Sequence, residues 1–194
     1  MNDYLVSSQL PDCFLFPHFV SLDMSQQLTT EILSLPLEQE TFKMFGKSIT
    51  VPRESLWMAD PGCTYRYSGI TRLPQPWSPV VGLLHGRILK KFPGLNSVLI
   101  NVYRHGDHYM GYHQDNEPEI DASHGILSIS LGQSRDFLFK SVEDRKNIIK
   151  LSLCNGDGLY MGPVTIKEWL HALPKRKRAS GLRINLTFRS IYSK

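Results

Sequence analysis

The sequence predicts an α+β, mainly β fold in which a few helices pack on a jelly-roll-like core. Beyond residue 95 the apolar period changes to two. Short runs rich in branched and aromatic residues follow at 97–103, 126–131, 136–140, 147–153, 158–162 and 182–190. Turn residues separate them, among them His105-Gly106, Gly132-Gln133 and Asn155-Gly156-Asp157. Upstream, apolar residues recur at helical spacing instead. Many short strands punctuated in this way make a sandwich or a barrel.

The first helix is predicted over residues 21–34, where Leu22, Leu28, Ile32 and Leu33 mark the stripe and Ser21 is placed to cap it. Ser78-Pro79 opens the second, since serine suits an N-cap and proline the first helical position. Its stripe is Val80, Val81, Leu84, Ile88, Leu89 and Phe92, and Pro93-Gly94 ends it. A chain of 194 residues suffices for one domain with a real core and is short for two, so 1–194 reads as a single domain.

Composition excludes several classes. Apolar content of 41% and charged content of 21% are ordinary for a soluble globular chain. No apolar run approaches the roughly 20 residues that cross a bilayer, so no membrane partner is expected. The N-terminal stretch lacks a basic region followed by an apolar one, which predicts no secretory signal. Cys13, Cys63 and Cys154 are odd in number and never form a CxxC pair. That points to a reducing, intracellular compartment and away from a disulfide framework or a zinc–thiolate site. The compartment is the nucleus if the source is eukaryotic and the cytoplasm if it is bacterial; a monomer is expected.

Net charge is +4, and its placement says more than its size. No acidic residue follows Glu168, while Lys175, Arg176, Lys177, Arg178, Arg183, Arg189 and Lys194 all do. A basic C-terminal segment suits an anionic partner such as a phosphate backbone. A solvated charged loop is at least as good a reading of the 175–178 run, and a nuclear localisation signal is a third.

In Leu182-Arg183-Ile184-Asn185-Leu186-Thr187-Phe188-Arg189 the alternation is unbroken, so apolar and polar side chains point to opposite faces. The polar face carries two arginines bracketing an asparagine and a threonine, a set able to grip a small anion. An ordinary solvent-facing surface is the default alternative.

His113-Gln114-Asp115 is an HxD pair. In extended backbone, residues two apart share a face, so both side chains can reach one metal ion. A distant histidine would complete a facial triad of two histidines and a carboxylate, which leaves three positions open on iron(II). His171, shortly before the arginine-bearing strand, is the candidate. His105-Gly106-Asp107 repeats the pattern but reads as a turn. Isolated histidines are more often hydrogen-bonded structural residues, and His18, His85, His105, His108 and His124 are read that way. By spacing alone the triad stays open.

Together, Asn101-x-Tyr103, His113-x-Asp115, His171 and Arg183-x-Asn185-x-Thr187-Phe188-Arg189 resemble the AlkB family of 2-oxoglutarate dioxygenases, in the family's order and over about residues 44–192. The stretches MFGK, VPRES, DPGCTYRYSGI, LINVYRHGD, LGQSRDFLF and LPKRKR resemble the branch that prefers double-stranded DNA. The resemblance implies a double-stranded β-helix (jelly-roll) core at about 96–194, with flanking N-terminal helices and a nucleotide-recognition lid at about 1–95. It implies that His113, Asp115 and His171 bind Fe(II). Arg183 and Tyr103 would hold the distal carboxylate of 2-oxoglutarate, with Arg189 and Asn101 near the carboxylate beside the keto group and Asn185 in support. Arg183 and Arg189 lie six residues apart, about 20 Å along an ideal strand, so both must lean toward one ligand.

The implied activity is oxidative demethylation of N-alkylated bases such as 1-methyladenine and 3-methylcytosine in DNA, with O2 as oxidant and formaldehyde, succinate and CO2 released. Methylated duplex DNA is the implied partner. RNA or single-stranded DNA as substrate, and a catalytically silent nucleic-acid binder, are the alternatives. Extruding a base from a duplex costs a few kcal/mol. Tyr67 would stack on the extruded base opposite His113, while Tyr65 and Glu117 contact its polar edge, the carboxylate favouring a cationic lesion. Phe45, between Lys43 and Lys47, would wedge into the base stack. Arg53, Arg135 and Lys175, Arg176, Lys177 and Arg178 match strand-contacting positions. Asn116 replaces an acidic residue common after the metal aspartate, which leaves the preferred lesion open.

Overall fold

Strands of period two build two sheets, and the helices cover one of them. The computed structural model describes residues 3–44, 47–67, 70–72 and 74–192, without the side chains of 42–44, 47, 49, 65–67 and 70–72. The first 95 residues form β1 (Tyr4–Ser7), β2 (Leu10–Phe16), α1 (Leu22–Ser34), β3 (Thr41–Met44), β4 (Lys47–Thr50), β5 (Glu54–Ala59), β6 (Tyr65–Tyr67), β7 (Ile70–Arg72) and α2 (Pro79–Ile88). After them come β8 (Ser97–Tyr103), β9 (Met110–His113), β10 (Ile126–Gly132), β11 (Arg135–Ser141), β12 (Ile148–Leu153) and β13 (Gly158–Met161). A short helix α3 (Pro163–Glu168), β14 (Trp169–Leu173) and β15 (Arg183–Arg189) complete the chain. The large sheet runs β1-β2-β13-β10-β15-β8-β5 and the small one β12-β11-β14-β9, with β3-β4 and β6-β7 as separate hairpins. Pairing between neighbouring strands is antiparallel throughout. This is the mainly β jelly-roll core that the strand pattern predicts.

The large sheet shows how period two sorts the interior. On β8, Val98, Ile100 and Val102 join the cluster beneath α1 and α2, whereas Leu99, Asn101 and Tyr103 line a cavity between the sheets. Leu28 and Ile32 of α1 meet Val81, Leu84 and Ile88 of α2 in the same cluster. Each such fully buried side chain contributes about 1.5–3 kcal/mol. A second cluster, with Phe139, Ile126 and Leu159, fills the other end of the sandwich.

Both helices start where their caps predict. Ser21 accepts a hydrogen bond from the Met24 amide, 3.2 Å. Ser78 precedes α2, but its hydroxyl donates to Glu31 Oε1 (2.6 Å), and it is the Glu31 carboxylate that accepts from the Val80 and Val81 amides. One helix therefore caps the other. α2 ends at Ile88, earlier than its apolar stripe suggests, although Phe92 still packs against the same core and meets Phe16 and Tyr160. Leu89 is left exposed.

The short strands β1, β2 and β5, outside the predicted set, add to the large sheet from the N-terminal half. Pro11 interrupts the pattern of β2, and β5 is buried along almost its whole length, so neither alternates cleanly. The turn at Asn155-Gly156-Asp157 forms as predicted: Gly156 has φ 84°, and a Cβ there would stand 2.4 Å from the Val20 carbonyl oxygen. All three cysteines are free, Cys13 and Cys63 buried and Cys154 exposed. Among the described residues no helix is long and apolar enough to cross a membrane.

Candidate active site

β15 explains why one cavity collects so much polar chemistry. All seven of its residues are buried. Ile184, Leu186 and Phe188 enter the core under the helices, while Arg183, Asn185, Thr187 and Arg189 face a cavity between the sheets. The polar face therefore points inward. β10, paired to β15, does the same with Ser128 and Ser130, whose alternation with Leu127, Ile129 and Leu131 is equally plain in the sequence.

His113, Asp115 and His171 converge at this cavity, with one ligand atom of each within 4.8 Å of the others. The small sheet makes the meeting. His171 on β14 lies directly across from His113 on β9, and their rings are 4.2 Å apart between centroids. A register shift follows: Leu173 pairs with Met110, so three steps on β9 oppose two on β14. Such a bulge re-aims side chains, and both Met110 and His113 line the cavity as a result. Gln114, between the two ligands, turns away and donates to the Lys167 carbonyl, 2.8 Å.

The donor chemistry suits a divalent cation. Asp115 is 2% exposed, and its Oδ1 accepts from Arg189 Nη2 at 2.6 Å, whereas Oδ2 has no hydrogen-bond partner among the described residues. Burial alone would raise its pKa, but opposing charge, the Arg189 guanidinium first, outweighs burial and holds the carboxyl below the usual carboxylate range. Burial, aided by neighbouring His113, drives His171 down to about 3, so its ring is neutral and keeps a lone pair for a metal. His113 Nδ1 sits 2.9 Å from the Gly111 carbonyl, which leaves Nε2 toward Asp115. Phe137 stacks against His171, with centroids 5.5 Å apart, and walls that side.

Farther along β15 lies an anion-binding end. Arg183 is 2% exposed; its Nη2 donates to Ser130 Oγ (2.9 Å) and Asn185 Oδ1 (3.1 Å), while Nε has no partner among the described residues. Tyr103 is its cross-strand partner, with the guanidinium 5.5 Å from the ring centroid. Burial lowers the Arg183 pKa to about 10, so it remains a cation at neutral pH. Asn185 also accepts from Ser128 and donates to Thr187, which fixes the amide. A buried cation with an unmatched donor fits a carboxylate of a small ligand. Both arginines reach the cavity from the same strand face, Arg189 at the Asp115 end and Arg183 at the Tyr103 end, so a ligand gripped by both lies along the strand.

The other expected site residues divide into four groups. Arg53 lines the cavity: it is 9% exposed, and its Nε donates to Asn101 Oδ1 at 2.8 Å. Asn101 sits across from Asn185, between the two arginines. Glu117 is half-buried and lines the cavity with Glu40, Ser55 and Trp57, which the sequence reading had not singled out. Arg135 is buried away from it. Lys175, Arg176, Lys177 and Arg178 are exposed; Arg176 pairs with Asp136, and Lys175 Nζ lies 4.7 Å over the Tyr109 ring. Phe45 lies outside the described residues, as do the side chains of Tyr65 and Tyr67, whose backbone forms β6. Of the histidines read as structural, the His85 ring bonds the Leu95 carbonyl and the His124 ring that of Pro93.

A jelly-roll sandwich holding two histidines, one carboxylate and a buried arginine defines the class of iron- and 2-oxo-acid-dependent oxygenases. The chain belongs to the 2OG-Fe(II) oxygenase superfamily, whose profile matches residues 12–189. Ferrous iron, 2-oxoglutarate and O2 are the cofactors that this membership brings, and His113, Asp115 and His171 are arranged to hold the metal. The chain is 38% identical over 157 residues to DNA oxidative demethylase ALKBH2 of Mus musculus, covering 77% of this chain and 66% of that protein. It is 31% identical over 189 residues to alpha-ketoglutarate-dependent dioxygenase alkB homolog 3 of Homo sapiens, covering 92% of this chain and 65% of that one. It thus spans just under two thirds of the length of either relative. The solved structure of OsALKBH1 matches with a TM-score of 0.62 at 21% identity, covering 92% of this chain and 97% of that one, a likeness of fold.

Proposed function

We propose that this protein is an AlkB-type dioxygenase that removes methyl groups from N-alkylated bases, 1-methyladenine and 3-methylcytosine, in duplex DNA. The observation that carries the reading is the convergence of His113, Asp115 and His171 at one end of a cavity whose other end holds Arg183. Bound iron supplies the oxidation: O2 converts 2-oxoglutarate to succinate and CO2 and adds one oxygen to the N-methyl group, and the resulting hydroxymethyl leaves as formaldehyde. The chain's own residues bind and orient. Arg183 and Tyr103 take the distal carboxylate, and Arg189, already paired with Asp115, stands near the other with Asn101. Glu117 faces the space for a cationic base and favours it over a neutral one. Tyr67 of the β6–β7 hairpin is the candidate to stack on the base opposite His113, Tyr65 to contact its polar edge with Glu117, and Phe45 to act as the wedge. Of the exposed 175–178 run, Lys177 and Arg178 supply charge for the strands.

Formaldehyde and succinate are measured with Fe(II), 2-oxoglutarate and methylated oligonucleotides, duplex and single-stranded. The wild-type protein is expected to release both products and to prefer duplex, and His113→Ala to release neither. Formaldehyde from His113→Ala would overturn the metal assignment. Preference for single strands or RNA, or no loss on duplex with Phe45→Ala, would overturn the duplex reading. A wild-type protein that binds DNA without succinate release would be a silent binder.

A further inference from the structure

We infer that Arg135 is a positioning residue that clamps the basic 174–179 loop onto the 104–109 turn. The loop's charges are thereby held in a fixed relation to the metal site. Arg135 begins β11 and is only 2% exposed. A side chain so enclosed cannot meet a phosphate without leaving its place. Its Nη2 instead donates to two carbonyl oxygens from separate segments, His108 at 3.0 Å and Pro174 at 2.8 Å. His108 lies in the turn that leads from β8 into β9, the strand that delivers His113. Pro174 leads from β14, the strand that delivers His171, into the basic run. One guanidinium arm therefore joins the two exits from the metal site.

Independent contacts join the same two segments above it. The Arg176 amide donates to the Gly106 carbonyl at 2.8 Å, and the Ala179 amide donates to the Arg176 carbonyl at 2.8 Å, closing a turn. A Cβ on Gly106 would stand 1.8 Å from the Arg176 carbonyl oxygen and 2.6 Å from that of Ala179, so only glycine permits the approach. Arg176 ion-pairs with Asp136, next to Arg135, and Lys175 rests on Tyr109. Two of the four basic side chains are thus spent on docking the loop, while Lys177 and Arg178 project outward. Arg135 gives up much for this role, because its Nε and Nη1 have no hydrogen-bond partner among the described residues. Methionine could fill the volume without donating, and lysine, whose ammonium ends one bond short of Nη2, could reach one of the two carbonyls.

The effect on turnover rests on the nucleic-acid reading above, whereas the loop's attachment does not, and the experiment separates them. Arg135→Met, Arg135→Lys and Gly106→Ala are compared with wild type for the rate of tryptic cleavage within 175–178, read by intact mass, and for kcat and KM on methylated duplex. Cleavage is expected to quicken at least tenfold in Arg135→Met and Gly106→Ala. Duplex KM should rise about tenfold in both, with kcat at saturating DNA within about twofold and the KM for 2-oxoglutarate unchanged. Arg135→Lys, which keeps the charge and one carbonyl, should fall between. Gly106→Ala removes no charge and leaves Arg135 intact, so it isolates the clamp. A raised duplex KM in Arg135→Met with normal Gly106→Ala and Arg135→Lys would instead mark a direct phosphate contact. A raised 2-oxoglutarate KM in all variants would assign Arg135 to the co-substrate end. Unchanged cleavage in Gly106→Ala and Arg135→Lys would also overturn the proposal, even if Arg135→Met failed to fold. Should no variant, nor the wild type, act on DNA, the cleavage rates still decide the clamp and the substrate reading alone fails.

Discussion

The floor of the cavity and its rim are built on opposite plans. On the floor, Arg183, Asn185, Thr187 and Arg189 hang from one face of a fully buried strand, and serines of the next strand hold Arg183 and Asn185 before any ligand arrives. At the rim, Lys177 and Arg178 stand exposed to water on a loop held from below by Arg135 and Gly106. A small ligand of fixed shape rewards preorganised donors in a site shielded from water, where each charged hydrogen bond counts for more. A long, screened polyanion rewards distributed charge, and no single contact dominates. The difference teaches that the two binding tasks should fail separately.

Substitutions can sharpen or break that separation. The largest effect should come from the floor: Arg183→Met, which removes the buried cation, should raise the KM for 2-oxoglutarate by about 100-fold, in line with roughly 2–5 kcal/mol for truncating one partner of a buried charged contact. Duplex KM at saturating co-substrate should stay within about twofold. Equal losses in both would merge floor and rim into one site. On the opposite face of the same strand, Leu186→Ala removes a side chain that is 0% exposed. It should lower unfolding free energy by about 2–5 kcal/mol in urea denaturation. Smaller still, Lys177→Ala and Arg178→Ala should each weaken duplex binding a few-fold and reduce the salt slope of log K by about 1, leaving 2-oxoglutarate untouched. The smallest change lies away from both regions: Glu31→Ala, which uncaps α2, should cost about 1 kcal/mol in thermal unfolding without altering either KM.

The same contrast explains what the sequence made legible. Unbroken alternation in 182–189 was enough to place four polar side chains on one face, since the period of a strand admits no other arrangement. It could not say that this face is covered by a second sheet, because alternation looks the same against water and against a polar cavity. His113 and Asp115 share a face by spacing, but the approach of His171 depends on a pairing between β9 and β14 that no local pattern encodes. The bulge that turns Met110 and His113 together is likewise a tertiary fact. Ser128 and Ser130 could have been found, two residues apart in an otherwise apolar strand beside β15. The roles of the rim residues came from resemblance alone, and there the structure adds most: Arg53 and Arg135 are buried, one against Asn101 and the other beneath a loop.

Every role in the cavity depends on one metal held by His113, Asp115 and His171. Anaerobic calorimetric titration of Mn(II), a redox-quiet stand-in for ferrous iron, tests it without any turnover. Wild type should bind one equivalent and should then bind 2-oxoglutarate more tightly than the metal-free protein does. Asp115→Ala and His171→Ala should lose both the site and that coupling. One tight equivalent retained in His171→Ala would place the metal elsewhere and contradict the assignment.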